Sequence, residues 1–338
     1  MRRKIVICLL ILAIFCTGCN ARSPQGDTQG ATETNTETKV GATDVSTQKP
    51  TDTQKSTEAV DDENKGDNKT DWKEDGKLKI LSIGNSFSDD TMQYVYQIAK
   101  DLGVEEIKLG NLYIGGCSLD RHATNAKGNK AAYEYRVNTA GKWSTTESYR
   151  MKDAIESEDW DFIALQQQSG NSGKPESYSQ LKYMIEYIKE LCPGATLAWN
   201  MTWAYQQDST NTEFSKYNNS QLEMYKQIVA AVKSEVLTKE DIKLIIPNGT
   251  AIQSARTSYL GDTLTRDGYH LSLDIGRYIA GLTLVGCLTG LDLSELTYMP
   301  AGVDEAVRSV AVESAKNALA DPFDFSFSEY EEKPGAGA

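Results

Sequence analysis

Two distant stretches of the chain carry residue types that suit nucleophilic catalysis. In GNSFS (residues 84–88), Ser86 follows a short apolar run at a strand-to-helix turn. In DGYH (residues 267–270), Asp267 stands three residues before His270, one of only two histidines. A serine hydroxyl is a weak nucleophile and needs an adjacent base, whose other ring nitrogen a carboxylate can hold. We therefore interpret Ser86 as nucleophile, His270 as general base and Asp267 as the orienting acid.

Small or polar residues also follow the other predicted strands, where the active site of a parallel sheet lies. Gly115 and Gly116 follow the second strand, and three glutamines (residues 166–168) follow the third. The backbone N–H of Ser86 lies near a helix N-terminus, which favours a developing negative charge. This pattern is typical of a catalytic site.

These motifs resemble the blocks of the SGNH (GDSL-type) hydrolase superfamily. GNSFS looks like the first block, with Asn85 in place of the usual aspartate, and DGYH looks like the fifth. Residues 247–256 and 262–277 resemble a bacterial, lipoprotein-type branch of that superfamily. The resemblance implies a three-layer flavodoxin-like fold, no cofactor and hydrolysis of an ester, often an acyl group on a carbohydrate. It also implies that Gly116 supplies an N–H to the oxyanion hole.

The chain departs from the third block of the family, which normally reads Gly-x-Asn-Asp and supplies an asparagine amide. Here the third strand ends in QQQSGN (residues 166–171). A glutamine amide, or Asn171 after a shifted turn, could donate the same hydrogen bond, and we favour Gln167. We therefore expect the oxyanion hole to comprise Ser86, Gly116 and Gln167. Losing one such donor typically costs about 10²–10³ in rate.

Other residues near the strand ends are candidates for substrate contact. We expect Asn85, His122 and Trp203 to line the pocket, with Trp203 as a sugar-stacking platform, although His122 could equally lie satisfied on the surface. We interpret Cys117 as a small buried apolar residue and Arg256 as the partner of a carboxylate. No His, Cys and Asp cluster has metal-ligand spacing, so we expect no metal.

Strand-like and helix-like runs alternate through the globular region. The predicted strands span residues 77–84, 106–114, 161–166, 196–202 and 242–247, with helices between them. This alternation predicts an α/β fold with a parallel five-stranded sheet covered by helices on both faces. Residues 133–144 read as a two-stranded excursion that turns at residues 140–141.

The N-terminus has the pattern of an export signal. A basic start (residues 1–4) precedes an apolar run of about eleven residues, too short to cross a bilayer as a stable helix. CTGC (residues 16–19) then resembles a bacterial lipobox that ends at Cys19, the expected lipidation site. An ordinary cleaved signal or an uncleaved anchor is the alternative. The lipoprotein interpretation predicts an extracytoplasmic protein held to the cell membrane by lipid.

Composition divides the rest of the chain. Residues 19–71 contain no aromatic residue, so we expect a disordered tether. We assign residues 72–325 to a catalytic domain and residues 326–338 to a flexible tail. The net charge of −13 makes nucleic acid an unfavourable partner. We expect an anchored serine esterase that removes an acyl group, in the first place acetyl, from a carbohydrate or related substrate. The alternative is a non-catalytic glycan-binding lipoprotein with the same fold.

Overall fold

The computed structural model describes residues 72–333, which form a sheet with helices on both faces. The strands are β1 (Lys77–Gly84), β2 (Glu106–Tyr113), β3 (Ala131–Asn138), β4 (Trp143–Arg150), β5 (Phe162–Leu165), β6 (Thr196–Asn200) and β7 (Ile242–Ile246). The helices are α1 (Trp72–Asp75), α2 (Ser86–Met92), α3 (Val95–Asp101), α4 (Leu119–Lys127), α5 (Met151–Ile155), α6 (Leu181–Leu191), α7 (Gln221–Ala231), α8 (Asn248–Ala255), α9 (Ile275–Thr289) and α10 (Glu305–Ala320).

The sheet has seven strands in the order β4-β3-β2-β1-β5-β6-β7. Five strands are mutually parallel, namely β2, β1, β5, β6 and β7, whereas β3 and β4 pair antiparallel at one edge. The α/β architecture is as predicted, but the prediction of a five-stranded, wholly parallel sheet is wrong. The physical reason is that the predicted excursion pairs with the edge of β2, whose N–H and C=O groups would otherwise have no strand partner.

Apolar side chains fill the space between the sheet and both helical layers. Helices α2, α3, α8 and α10 pack around α9, while α4, α5 and α6 contact one another in the second layer. Central strands are buried on both faces, which explains the nearly continuous apolar run of β1. The parallel strands direct their carboxyl ends, and the turns that follow them, to one edge of the sheet.

The end of the described region remains attached to this domain. The N–H of Ser328 donates to Thr257 Oγ1 at 2.8 Å, and the carbonyl of Tyr330 accepts from the N–H of Tyr259 at 2.8 Å. Residues 326–330, which the sequence assigns to a flexible tail, are therefore held by α8 and the segment after it. The predicted signal peptide, Cys19 and the tether lie outside the described residues. No helix within residues 72–333 is long and apolar enough to span a membrane.

Candidate active site

Ser86 is the first residue of α2, directly beyond the end of β1. Asn85 caps this helix, because its side-chain oxygen accepts a hydrogen bond from the N–H of Phe87 at 3.0 Å. Glycine is needed at position 84 because the Ser88 side chain packs closely against the backbone there, and a Cβ on residue 84 would lie only 2.7 Å from it. The tight turn thus places the half-buried Ser86 hydroxyl at the carboxyl edge of the sheet.

The structure brings the three predicted catalytic side chains together. The imidazole Nε2 of His270 lies 2.8 Å from Ser86 Oγ, and its Nδ1 lies 2.6 Å from Asp267 Oδ2. The other oxygen of Asp267 accepts the backbone N–H groups of His270 at 2.8 Å and of Tyr269 at 3.2 Å. These distances lie within hydrogen-bond reach, so the hydroxyl, imidazole and carboxylate form one continuous chain.

The surroundings of Asp267 favour its ionised form, as an orienting acid requires. Partial burial raises the pKa of Asp267, but hydrogen bonds from the His270 ring and two backbone N–H groups outweigh this effect and hold that pKa below its usual range. The carboxylate is therefore ionised at neutral pH. It can fix the Nδ1 proton and stabilise an imidazolium once His270 accepts a proton.

The turn after β2 contains Gly116, which the sequence predicts as an oxyanion donor. Gly116 has a φ of +61°, which glycine adopts without strain, and it is exposed. Its N–H has no hydrogen-bond partner among residues 72–333. The neighbouring Cys117 carbonyl accepts from the side-chain nitrogen of Asn85 at 3.0 Å. Asn85, predicted to contact substrate, is therefore buried and ties the Gly116 turn to the loop that carries Ser86.

Gln167, the favoured third donor, has another role. Its side-chain nitrogen donates to the carbonyl of Ser177 at 2.8 Å and to the hydroxyl of that residue at 3.0 Å. Its side-chain oxygen accepts from the N–H groups of Leu119 and Gln168. Both amide hydrogens are therefore used within the protein, and Gln167 has none left for an oxyanion.

The next glutamine has an unpaired side-chain amide. Gln168 is half-buried, and its side-chain amide makes no hydrogen bond in the described part of the chain, where its side-chain oxygen is a buried atom without a partner. The alternative, Asn171, accepts from Lys216 Nζ at 3.0 Å through its side-chain oxygen, and this contact leaves its amide hydrogens unused. Three consecutive glutamines did not reveal from sequence which of them is free.

A buried chain of amide side chains connects the ends of the parallel strands. Asn248 donates to Asn200 at 2.8 Å, Asn200 donates to Gln166 at 3.1 Å, and Gln166 donates to Asn85 at 3.0 Å. Through Asn85 the chain reaches the Gly116 turn. Because buried polar groups are costly unless paired, this network fixes the relative positions of the loops around Ser86.

Trp203 does not form an exposed platform. Its ring is fully buried and stacks on Phe87, with 4.3 Å between centroids and 7° between planes. Its indole N–H donates to the carbonyl of Tyr269 at 2.8 Å. The side chain predicted to bind sugar thus supports the neighbours of both Ser86 and His270 from below.

His122 is a core residue rather than a pocket or surface residue. Its Nδ1 lies 3.0 Å from the Tyr133 hydroxyl, and the two rings stack at 5.7 Å. Burial lowers the pKa of His122 to about 3, so the imidazole is neutral in the folded protein. Cys117 is also buried, and burial raises the pKa of its thiol to about 12, which agrees with the interpretation of this residue as apolar core.

Arg256 forms the ion pair predicted for it. Its Nε lies 2.8 Å from Asp262 Oδ1, and its terminal nitrogens donate to Gln253 and to the carbonyl of Ala204. Burial lowers the pKa of Arg256 to about 10 despite the carboxylate beside it, so the guanidinium stays charged at neutral pH. The structure thus shows no unpaired cation at this position for a substrate anion.

These observations define the class of the protein. It is a three-layer α/β domain with a Ser-His-Asp hydrogen-bond chain at the carboxyl edge of its sheet. The chain belongs to the DUF4886 family, described as a domain of unknown function, whose model matches residues 79–319. No functionally curated protein matches the sequence.

The chain is similar to several solved structures. A DUF4886 family protein from Bacteroides uniformis is 41% identical, covers 74% of this chain and 97% of its own, and has a TM-score of 0.72. The chain is also similar to a putative SGNH hydrolase from Slackia heliotrinireducens (20% identity, 63% and 99% coverage, TM-score 0.42). A putative GDSL-like lipase from Parabacteroides merdae has 16% identity, 63% and 98% coverage and a TM-score of 0.44.

The buried state of His122 predicts a pH dependence of stability. Between pH 7 and pH 5, unfolded His122 binds a proton with a pKa near 6.5, whereas the folded residue stays neutral. The unfolded state therefore binds more protons, and stability falls as pH falls. We expect urea unfolding of His122→Gln to lack this component, which amounts to about 1.4 kcal/mol per pH unit below pH 6.

The matched control is His270→Gln, which removes the other histidine but leaves the buried one. Its stability should therefore still fall between pH 7 and pH 5 through the buried His122. Equal slopes for His122→Gln and the original protein would contradict the burial of a neutral imidazole.

Proposed function

We propose that the protein is a serine esterase that uses Ser86, His270 and Asp267. The observation that carries the proposal is the unbroken hydrogen-bond chain from the Ser86 hydroxyl through the His270 ring to the Asp267 carboxylate. In this geometry the base lies next to the nucleophile and the acid fixes the tautomer of the base. These groups supply the nucleophile, the base and the orienting acid for acyl transfer from an ester.

In the first half-reaction, Ser86 Oγ attacks the carbonyl carbon while its proton passes to His270 Nε2. The tetrahedral intermediate carries an oxyanion, which the N–H groups of Ser86 and Gly116 stabilise. When the intermediate collapses, the C–O bond to the leaving alcohol breaks and His270 returns the proton to that oxygen. An acyl-enzyme on Ser86 and a free alcohol remain.

In the second half-reaction, water replaces the alcohol. His270 takes a proton from water as the hydroxide oxygen bonds to the acyl carbon, and then returns the proton to Ser86 Oγ as the acid departs. The ionised Asp267 stabilises the imidazolium in both steps. Gln168 is the third oxyanion donor of the proposal, because its side-chain amide makes no hydrogen bond within residues 72–333.

The natural substrate is, in this proposal, an acyl ester of a carbohydrate or a related extracellular compound, with acetyl as the first candidate. Support comes from the export signal, the lipobox ending at Cys19 and the long polar tether, which would place the domain outside the cytoplasm on the cell membrane. None of the steps above requires a cofactor.

Kinetics with p-nitrophenyl acetate test the reaction. Ser86→Ala and His270→Ala remove the nucleophile and the base, so we expect each to lower kcat/KM by at least about 10³-fold. Gln168→Ala should lower kcat by about 10²–10³-fold because it removes one oxyanion donor. Ser88→Ala, which removes a buried hydroxyl of the same motif, is the matched control.

Full activity of Ser86→Ala would contradict the proposal. If the purified protein retains an acetylated glycan but releases no acetate from it or from any tested ester, the result instead supports the non-catalytic glycan-binding lipoprotein.

Metabolic labelling with a radiolabelled fatty acid tests the anchor. The full chain expressed in a bacterium should incorporate the label, and Cys19→Ala should abolish incorporation because the acceptor thiol is gone. Cys16→Ala, at a small-residue position of the same motif, should remain labelled. Labelling of Cys19→Ala, or none in the original chain, would contradict lipidation at Cys19.

A further inference from the structure

Asp90 is a fully buried carboxylate on the helix that begins with Ser86. Its Oδ2 accepts the backbone N–H of Leu271 at 2.9 Å. Its Oδ1 accepts from Arg266 at 3.0 Å and from Arg277 Nε at 2.8 Å, and Arg277 Nη2 lies 2.7 Å from the same oxygen. One side chain therefore joins three segments of the chain: α2, the loop before α9, and α9 itself.

Two of those partners belong to the short loop that presents the base. Leu271 directly follows His270, and Arg266 directly precedes Asp267. The loop closes on itself, because the N–H of Arg266 donates to the carbonyl of His270 at 2.9 Å and the side chain of Arg266 donates to the carbonyl of Leu271. Asp90 therefore binds the base of this loop, where the two ends of the loop come together.

Asp90 is also fixed relative to Ser86, because both residues lie on α2. Asp90 lies four residues after Ser86, about one helical turn, so the two share a face of α2. The path from Ser86 to His270 therefore runs through one helical turn and a buried carboxylate. A misplacement of reacting groups by about 1 Å can cost about 10² in rate.

We propose that Asp90 is a positioning residue, which holds the imidazole of His270 at the Ser86 hydroxyl by clamping the loop of residues 266–271 to α2. The inference rests on the proposed function for its catalytic consequence. A merely structural ion pair would instead affect stability and leave the placement of His270 unchanged.

Asp89 provides a matched control on the same helix. Its carboxylate lies 2.5 Å from Arg136 Nη1 on β3 and 4.0 Å from Arg277 Nη2, but it forms no hydrogen bond or ion pair with the loop of residues 266–271. Asp90→Asn should lower kcat for p-nitrophenyl acetate about 10–100-fold and leave KM within about threefold. Asp89→Asn should change neither parameter by more than about threefold.

A second readout follows the imidazole itself and needs no turnover. With two histidines in the chain and His122 buried, nuclear magnetic resonance of labelled histidine can resolve His270 in the full-length protein. The Nδ1 proton that His270 shares with Asp267 should give a downfield resonance. This resonance should shift or broaden away in Asp90→Asn and persist in Asp89→Asn.

The two readouts separate failure of the clamp from failure of the proposed function. An original protein that hydrolyses no ester contradicts the proposed function, while the resonance still tests the clamp. An unchanged His270 resonance in folded Asp90→Asn overturns the inference, whatever happens to kcat. Because removing one partner of a buried ion pair is destabilising, Arg266→Gln at the partly exposed end of the clamp is the second variant, judged by the same two readouts.

Discussion

The candidate site depends on one hydrogen bond between groups that are 184 positions apart in the chain, the hydroxyl of Ser86 and the ring of His270. Neither segment places its side chain alone. The nucleophile is set by the end of β1 and the cap of α2, whereas the base lies on a loop without regular structure before α9. Everything that holds this loop against α2 therefore bears on the chemistry.

Polar groups buried beneath the site provide much of that support. The hydrogen-bonded amide side chains that lead from Asn248 through Asn200 and Gln166 to Asn85 align the ends of the strands with the Gly116 turn. Trp203 supports the backbone beside both Ser86 and His270. Such groups are stable in the interior only when paired, and pairing fixes their geometry. The interior of this domain thus specifies positions at its surface.

The sequence was sufficient for the parallel part of the sheet and for selecting three side chains that the structure brings together, because strand alternation and residue type both follow local rules. It was insufficient where a role depends on neighbours distant in the chain. Gln167 and Gln168 have the same chemistry, and only the position of Ser177 shows which amide is used internally. Trp203 was misread because a strand exit does not reveal burial. The two-stranded excursion was predicted, but its pairing with β2 was not, because that pairing depends on the tertiary structure.

The central claim is that His270 activates the Ser86 hydroxyl as a nucleophile. Reaction of the purified protein with a fluorophosphonate, followed by mass spectrometry of the intact chain and its peptides, tests this directly. The account predicts one adduct, located on Ser86, that forms rapidly in the original protein and is absent in His270→Ala. An adduct on another residue, or none at all, would contradict it.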